Sequence, residues 1–329
     1  MTGLVMQRYR QPSGLRPVDP LRDMGAIADL IQASFADDLD QMGYAMLREM
    51  RTMGHLGAFL WFLGGLNSSL GAMLSGFVWV EDGKIVGNVT VSHSPHAHDR
   101  WIISNVAVAR EYRGRGIARA LMNAALEMIH GAGGHIVTLQ VREDNAIARH
   151  IYETMGFRVV CGIAHLRNEH IVPFEEPPSL GAHLHHLTFA DAKSAYYLAR
   201  SVTPLDVQSE WPVRIGHYRF GPDELLADQL RKLIGKVPSL RMGIKDAGEL
   251  RAVVIVRPGN QAKVELVVHP DEFGRYEQML VAQALQHVHR WGGCSAIAAH
   301  PTYHPEGIAA FTAAGFCVSR TLLLMSREV

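Results

Sequence analysis

Apolar positions along the chain lay down an order of strands and helices that then recurs. A short strand from about residue 15 precedes a helical stretch. There Ala26, Ile27, Leu30 and Ile31 fall at the spacing of one helix face behind Asp23. AMLSGFVWV and IVGNVTVSH flank Glu81-Asp82-Gly83-Lys84, which predicts a hairpin over about 73–93 with an Asp-Gly turn. WIISNVAVA, at 101–109, reads as a buried strand. It runs into REYRGRGIARALMNAALEMIHGAGG, where Ile117, Leu121, Ala124, Ala125 and Met128 line one helical face. Gly131, Gly133 and Gly134 stop that helix. HIVTLQV predicts a strand over 135–141, and Asn145 to Met155 a helix closed by Gly156. Two more strands are expected at 157–163 and 165–171.

Composition shifts at VPFEEPPSLG, which reads as a linker. A similar order then returns. AKSAYYLARS is helical, SLRMGIKDAGELRAVVIV a hairpin, KVELVVHP a strand, and FGRYEQMLVAQALQHVHRWGG a helix. CSAIAAHP is a strand and GIAAFTAAGF a helix. Gly156-Phe157 falls on Gly315-Phe316, Tyr152 on Phe311, and Val106-Ala107-Val108 on Leu266-Val267-Val268. This is duplication at domain scale.

The charge balance narrows the function. In 329 residues, Lys+Arg and Asp+Glu both number 32, so the footprint of a general nucleic-acid binder is missing. Three cysteines without CxxC spacing argue against a disulfide framework or a structural zinc site. With no apolar core in MTGLVMQRYRQPSG, a cytoplasmic location is expected. The uncharged stretch from Leu56 to Val80 is long enough to span a bilayer. Its central glycines and serines, and its run into a hairpin, predict a buried or interfacial segment instead.

Arg113-Gly114-Arg115-Gly116-Ile117-Ala118 carries the chemistry. It follows a buried strand and opens an amphipathic helix, so uncovered backbone N–H groups and a helix N-terminus form an anion site suited to pyrophosphate. It has no P-loop GKS or GKT, and Arg119 stands where a dinucleotide fingerprint has Gly.

Strand, RGRGIA, helix, strand, and then Asn145-x-x-Ala148-x-x-x-Tyr152-x-x-x-Gly156-Phe157 together resemble the GNAT superfamily of acyl-CoA-dependent N-acetyltransferases. The resemblance implies an α/β (α+β) protein of two GNAT-like domains, each a mixed, mostly antiparallel sheet flanked by helices. The expected boundaries are an acetyl-CoA-binding domain at 1–172, a linker at 173–182, and a degenerate copy at 183–329. It further implies that Val106, Ala107 and Val108 hydrogen-bond the pantetheine arm. Arg113, Gly114, Arg115, Gly116, Ile117, Ala118 and Arg119 would hold the pyrophosphate, with Asn145 touching the cofactor. Tyr152 would protonate the departing thiolate, and a small-molecule or peptide amine would accept the acetyl group.

Two departures qualify the resemblance. Many members carry a Glu on the strand before the phosphate turn, where this chain has Ser104 and Asn105. Candidate bases are then His93, His96 and His98, beside Asp99, acting directly or through water. Their HxxHxH spacing is a weak metal signal, and no metal is expected. In the second half, HPDEFGRYEQML replaces the glycine turn, Phe311 stands for Tyr152, and His304 for Asn145. That half is expected not to bind coenzyme A. It could instead cover the first, shape the acceptor pocket or mediate homodimerisation. The rival readings are a coenzyme-A-binding sensor without catalysis and a tandem synthase-type transferase resembling mycothiol synthase.

Overall fold

A computed structural model describes residues 13–36, 43–52, 75–94, 99–172, 183–219 and 221–329. The chain forms two compact units, Met1–Leu139 with Ser326–Val329, and Gln140–Met325.

In the first unit, β1 (Gly14–Pro17) leads into α1 (Pro20–Phe35), and residues 43–52 form helix α2. The cap of α1 is Asp19, whose side chain accepts from the Leu21 amide, with Pro20 at the first helical position. Asp23, the sequence marker of the helix start, is buried within its first turn. It takes both Arg16 guanidinium nitrogens at 2.6 and 2.8 Å and the Asp19 amide at 2.7 Å. Met24, Ile27, Ala28 and Ile31 pack with Leu47, Val78 and Val80.

The expected hairpin is β2 (Ser75–Glu81) and β3 (Lys84–His93), turning through Asp82 and Gly83 at φ 48° and 77°. β4 (Arg100–Val108) pairs antiparallel with β3. It pairs parallel with β5 (Ile136–Arg142) from Arg100↔Ile136 to Ile103↔Leu139. The strand order is β1-β2-β3-β4-β5. Helix α3 (Ile117–Gly131) lies against the sheet on Ile117, Leu121, Met122, Ala125 and Ile129, while Met128 is only partly buried. It comes so close that a Cβ on Gly87 of β3 would stand 2.9 Å from Ile117 and 3.0 Å from Leu121. Gly87→Val should therefore lower stability by about 1–3 kcal/mol, as overpacking does, measurable by urea unfolding.

The second unit begins with α4 (Ala146–Thr154) and β6 (Arg158–Asn168). One long strand thus replaces the two expected at 157–163 and 165–171. β7 (Leu184–His186), α5 (Ala192–Val202), α6 (Leu205–Glu210), α7 (Ile215–Tyr218) and α8 (Pro222–Leu233) follow. Then come β8 (Leu240–Asp246), β9 (Glu249–Arg257), β10 (Ala262–Val268), α9 (Glu277–Arg290), β11 (Ala296–Pro301), α10 (Pro305–Ala313) and β12 (Cys317–Glu328). The order is β12-β6-β11-β10-β9-β8-β7. Alternate residues of β9 face two clusters. Ala252, Val254 and Val256 meet α9 through Leu280, Ala284 and Val288, while Val253 and Ile255 meet α5 through Ala195 and Leu198.

The compact units divide elsewhere than the sequence boundary at 172–183. β6 fills its ladder against β11, antiparallel from Ala296↔Asn168 to Pro301↔Ile163, so residues 158–168 fold with the second half. The linker at 173–182 lies outside the described residues, as does most of the uncharged stretch, 56–74. Among the described residues no helix is long and apolar enough to cross a membrane.

Candidate active site

β4 is interrupted just before its catalytic-looking end. Thr90 pairs with Ser104 and Asn88 with Ala107, so β4 carries an extra residue there, with Asn105 at φ 52°. Asn tolerates that left-handed backbone better than most side chains. The bulge is held from β3: Asn88 Nδ2 donates to the Asn105 carbonyl at 3.0 Å, and Asn105 Nδ2 to Thr90 Oγ1 at 3.3 Å. Among the described residues the buried Asn88 Oδ1 has no partner. This Asn pair escaped sequence reading, which weighed Asn105 only as a missing Glu. An Asn before a strand's end, opposite another on the paired strand, was the available signal.

Beyond the bulge, Val106 and Val108 are half-buried and Ala107 buried. A single turn at Arg110–Tyr112 then leads to Arg113, whose Nε donates back to the Val108 carbonyl at 3.0 Å. Gly114 and Gly116 take φ 77° and 78°, and a Cβ built on either meets nothing within 4 Å. They are therefore needed for backbone shape, not for packing room, and the space beside them is free for a ligand. Gly116 caps α3 without any side-chain hydrogen bond, and the amides of Ile117 and Ala118 open the helix with no helical acceptor before them. Arg113, Arg115 and Arg119 are exposed around the turn. The segment fits a pyrophosphate: open amides, a helix N-terminus and cations, with no side chain in the way.

In the second unit, Asn145 caps α4 through its side chain, accepting from Ala148 N at 3.1 Å. The cap role occupies its oxygen and leaves its amide nitrogen for a ligand. Tyr152 is 7 % exposed and meets Phe157 edge-on at 6.1 Å. Among the described residues its hydroxyl has no hydrogen-bond partner. Burial pushes the phenol up to about 12, so it holds its proton at neutral pH.

Of the candidate bases, His96 and His98 lie outside the described residues. The His93 ring lies 3.6 Å from that of Trp101, tilted by 35°, at the far end of β4 from the glycine turn. That is four residues, or about 13 Å of strand, from the bulge. Asp99 offers its backbone carbonyl to the amides of His135 and Ile136. Among the described residues no group of three or more His, Cys, Asp and Glu is placed to hold a metal ion.

The matching turn in the second half is built differently. Glu277, the first residue of α9, folds back over its own N-terminus. Its Oε1 accepts from Gly274 N at 2.9 Å and its Oε2 from Tyr276 N at 3.0 Å. Oε1 also takes His304 Nε2 at 2.9 Å, and His304 Nδ1 meets His300 Nε2 at 3.0 Å. An internal carboxylate occupies the amides that the first half leaves open. Desolvation alone would raise the Glu277 carboxyl, but His304 and the turn's amides outweigh it and hold it low. Burial, with His304 alongside, pushes the His300 imidazole down to about 3.

Both shifts make acid destabilising. As pH falls below the ordinary imidazole value of about 6.5, the unfolded chain takes up a proton that folded His300 refuses, down to about 3. Glu277 is charged in both states above the ordinary carboxyl range. Its contribution is lost as pH drops through the lowered folded value. Thermal unfolding midpoints should fall steadily from pH 6.5 to 4. In His300→Phe, the upper part of that fall should flatten.

Residues 40–157 match the model of the Acetyltransferase (GNAT) family. Two curated proteins match shorter stretches. N-alpha-acetyltransferase 30 of Schizosaccharomyces pombe is 32% identical over 83 residues, which is 25% of this chain and 55% of that protein. Streptothricin acetyltransferase of Streptomyces lavendulae is 38% identical over 82 residues, 25% of this chain and 42% of that protein. The chain therefore spans about half the length of these relatives. Among solved structures, a GCN5-related N-acetyltransferase from Sphaerobacter thermophilus aligns with TM-score 0.64 and 18% identity over 96% of both chains. A tandem GNAT protein from the clavulanic acid biosynthesis pathway aligns with TM-score 0.53 and 18% identity, over 95% of this chain and 98% of that one. At that identity the two structures share the fold.

Proposed function

We propose, from the match of residues 40–157 to the Acetyltransferase (GNAT) family, that the chain transfers an acetyl group from acetyl-CoA to a primary amine. The first half carries the working site, and the second is a GNAT-like copy that does not take coenzyme A. The observation behind this reading is the open turn Arg113–Ala118, set against its counterpart filled by Glu277.

In this reading acetyl-CoA supplies an activated thioester. The amides from Gly114 to Ala118 hold its pyrophosphate, with Arg113, Arg115 and Arg119 neutralising charge. β4 offers its backbone at Val106–Val108 to the pantetheine amides, and the N–H near Val108 steadies charge growing on the thioester oxygen. Tyr152, protonated at neutral pH, gives its phenolic proton to the leaving sulfur. The amine loses its proton to water or to a base drawn from the 93–99 loop. A small-molecule or peptide amine is the acceptor class, and the protein acts in the cytoplasm.

Calorimetry tests this reading. Coenzyme A should bind once per chain, not twice. Gly114→Asp with Gly116→Asp puts carboxylates and Cβ atoms into the cradle and should weaken binding at least tenfold, about 1.4 kcal/mol. Unchanged affinity in the folded double variant would overturn the assignment. Release of free thiol in the presence of an amine panel separates transfer from mere sensing of coenzyme A.

A further inference from the structure

Unit 2 holds a cavity of ≈ 140 Å³ to which the proposed acetyl transfer assigns no role. It opens where β10 and β11 part. Their parallel ladder runs only from Ala262↔Ala296 to Val264↔Ala298. Beyond it Leu266 and Val268 wall one side, and His300 and Pro301 the other. Val202 of α5 also lines it.

One wall is polar in a directed way. Glu277, His304 and His300 are 2 %, 3 % and 2 % exposed, and they form one hydrogen-bonded chain. A carboxylate only accepts, so His304 carries its proton on Nε2. The next link joins His304 Nδ1 and His300 Nε2, and His300 Nδ1 ends the chain, as acceptor or donor according to the tautomer. Among the described residues that nitrogen has no partner. Burial keeps His300 neutral throughout the physiological range, so Nδ1 offers a hydrogen bond without a charge. The ring is also fixed in place. His304 stacks on Phe273 at 3.8 Å, and His300 meets Phe311 edge-on at 5.6 Å. A Cβ on Gly307 would stand only 2.1 Å from His300 Nε2, so the backbone there is pared back to admit the imidazole. Capping the turn needs Glu277 and one histidine at most. The second histidine adds a further polar atom to a cleft that Thr203, Tyr218 and Tyr303 also line.

We propose that this cleft is a second ligand site. It takes a small uncharged molecule that hydrogen-bonds His300 Nδ1 through one hydroxyl or amine group and packs its apolar surface against Leu266 and Val268. The volume limits the buried part to about seven heavy atoms, since an apolar cavity of about 150 Å³ accommodates benzene. The diphosphate of coenzyme A has no seat here, because Glu277 already occupies the turn's amides.

Phenol and toluene share a skeleton and differ in the donor, which makes them the probes. Titrated into the full-length protein and followed by NMR, phenol should bind saturably and at least tenfold more tightly than toluene, shifting the ring signals of His300. His300→Phe keeps an aromatic ring and removes the nitrogen that meets the hydroxyl, so the two probes should then bind alike. Val202→Phe fills the cleft without touching the histidines and should abolish both. Equal affinity for the two probes in the parent overturns the proposal. So does a phenol preference that survives either substitution. If His300→Phe does not fold, the parent contrast and Val202→Phe still decide. The Gly114→Asp, Gly116→Asp variant should bind phenol as the parent does, so failure here and failure of the acetyl-CoA reading are told apart.

Discussion

Glu277→Ala should destabilise the second unit by about 3–5 kcal/mol, because three buried donors lose their acceptor at once, each at a cost of about 1–3 kcal/mol that partial rearrangement reduces. The carboxylate is 2 % exposed and answers three donors: the amides of Gly274 and Tyr276 and the Nε2–H of His304. Alanine leaves all three without an acceptor, in a space too enclosed for water to replace it freely. At 2–4 °C per kcal/mol for a unit of this size, the unfolding midpoint should drop by roughly 6–20 °C. Glu277→Gln should fall between, since its amide oxygen still accepts while its NH2 meets a donor. The double variant with His304→Ala should cost less than the sum of the singles, since both remove the same hydrogen bond. A Glu277→Ala protein as stable as its parent would mean that the turn is held by packing alone. The contrast with the open first-half turn would then lose its meaning.

Local pattern carried much of this architecture. Both hairpins follow from alternating apolar runs around Asp82-Gly83 and Ala247-Gly248, and α3 from the spacing of Ile117, Leu121 and Ala125. The duplication also persists in detail. Tyr152 and Phe311 sit at the same helix ends, each followed by a glycine at φ 86° or 85° and an aromatic partner set edge-on. What stayed hidden depends on contacts far apart in sequence. Nothing between 157 and 171 signals that this stretch is one strand whose hydrogen bonds go to residues 296–301. The helices of 205–233 are short or carry many exposed apolar residues, such as Leu226 and Leu233, and so lack a clean amphipathic period. Only the fold reveals that Glu277 fills its own turn, because that depends on the helix turning its first side chain back on its own amides.

Tyr152→Phe should lower turnover by about 10², the lower part of the range a positioned proton donor supplies, and leave the fold and cofactor affinity almost untouched. The substitution deletes one oxygen from a buried ring and keeps the edge-on contact with Phe157. Among the described residues that oxygen has no hydrogen-bond partner, so its removal orphans nothing and the unfolding midpoint should barely move. The dissociation constant for coenzyme A should stay within a factor of about three, because a donor to the leaving sulfur acts in the transition state and not when the cofactor docks. A merely structural tyrosine predicts the reverse: a lower midpoint with turnover intact. The pH profile offers a second readout. Burial holds the phenol up at about 12, so the parent should keep its donor to high pH, and any alkaline loss of rate that depends on Tyr152 should be absent from the variant. Phe311 is this same substitution already present in the second half, at the matching helix end and beside a turn filled by Glu277. Parental turnover in purified Tyr152→Phe, with any amine the enzyme accepts, would assign the ring to packing and move the search for the acid to solvent.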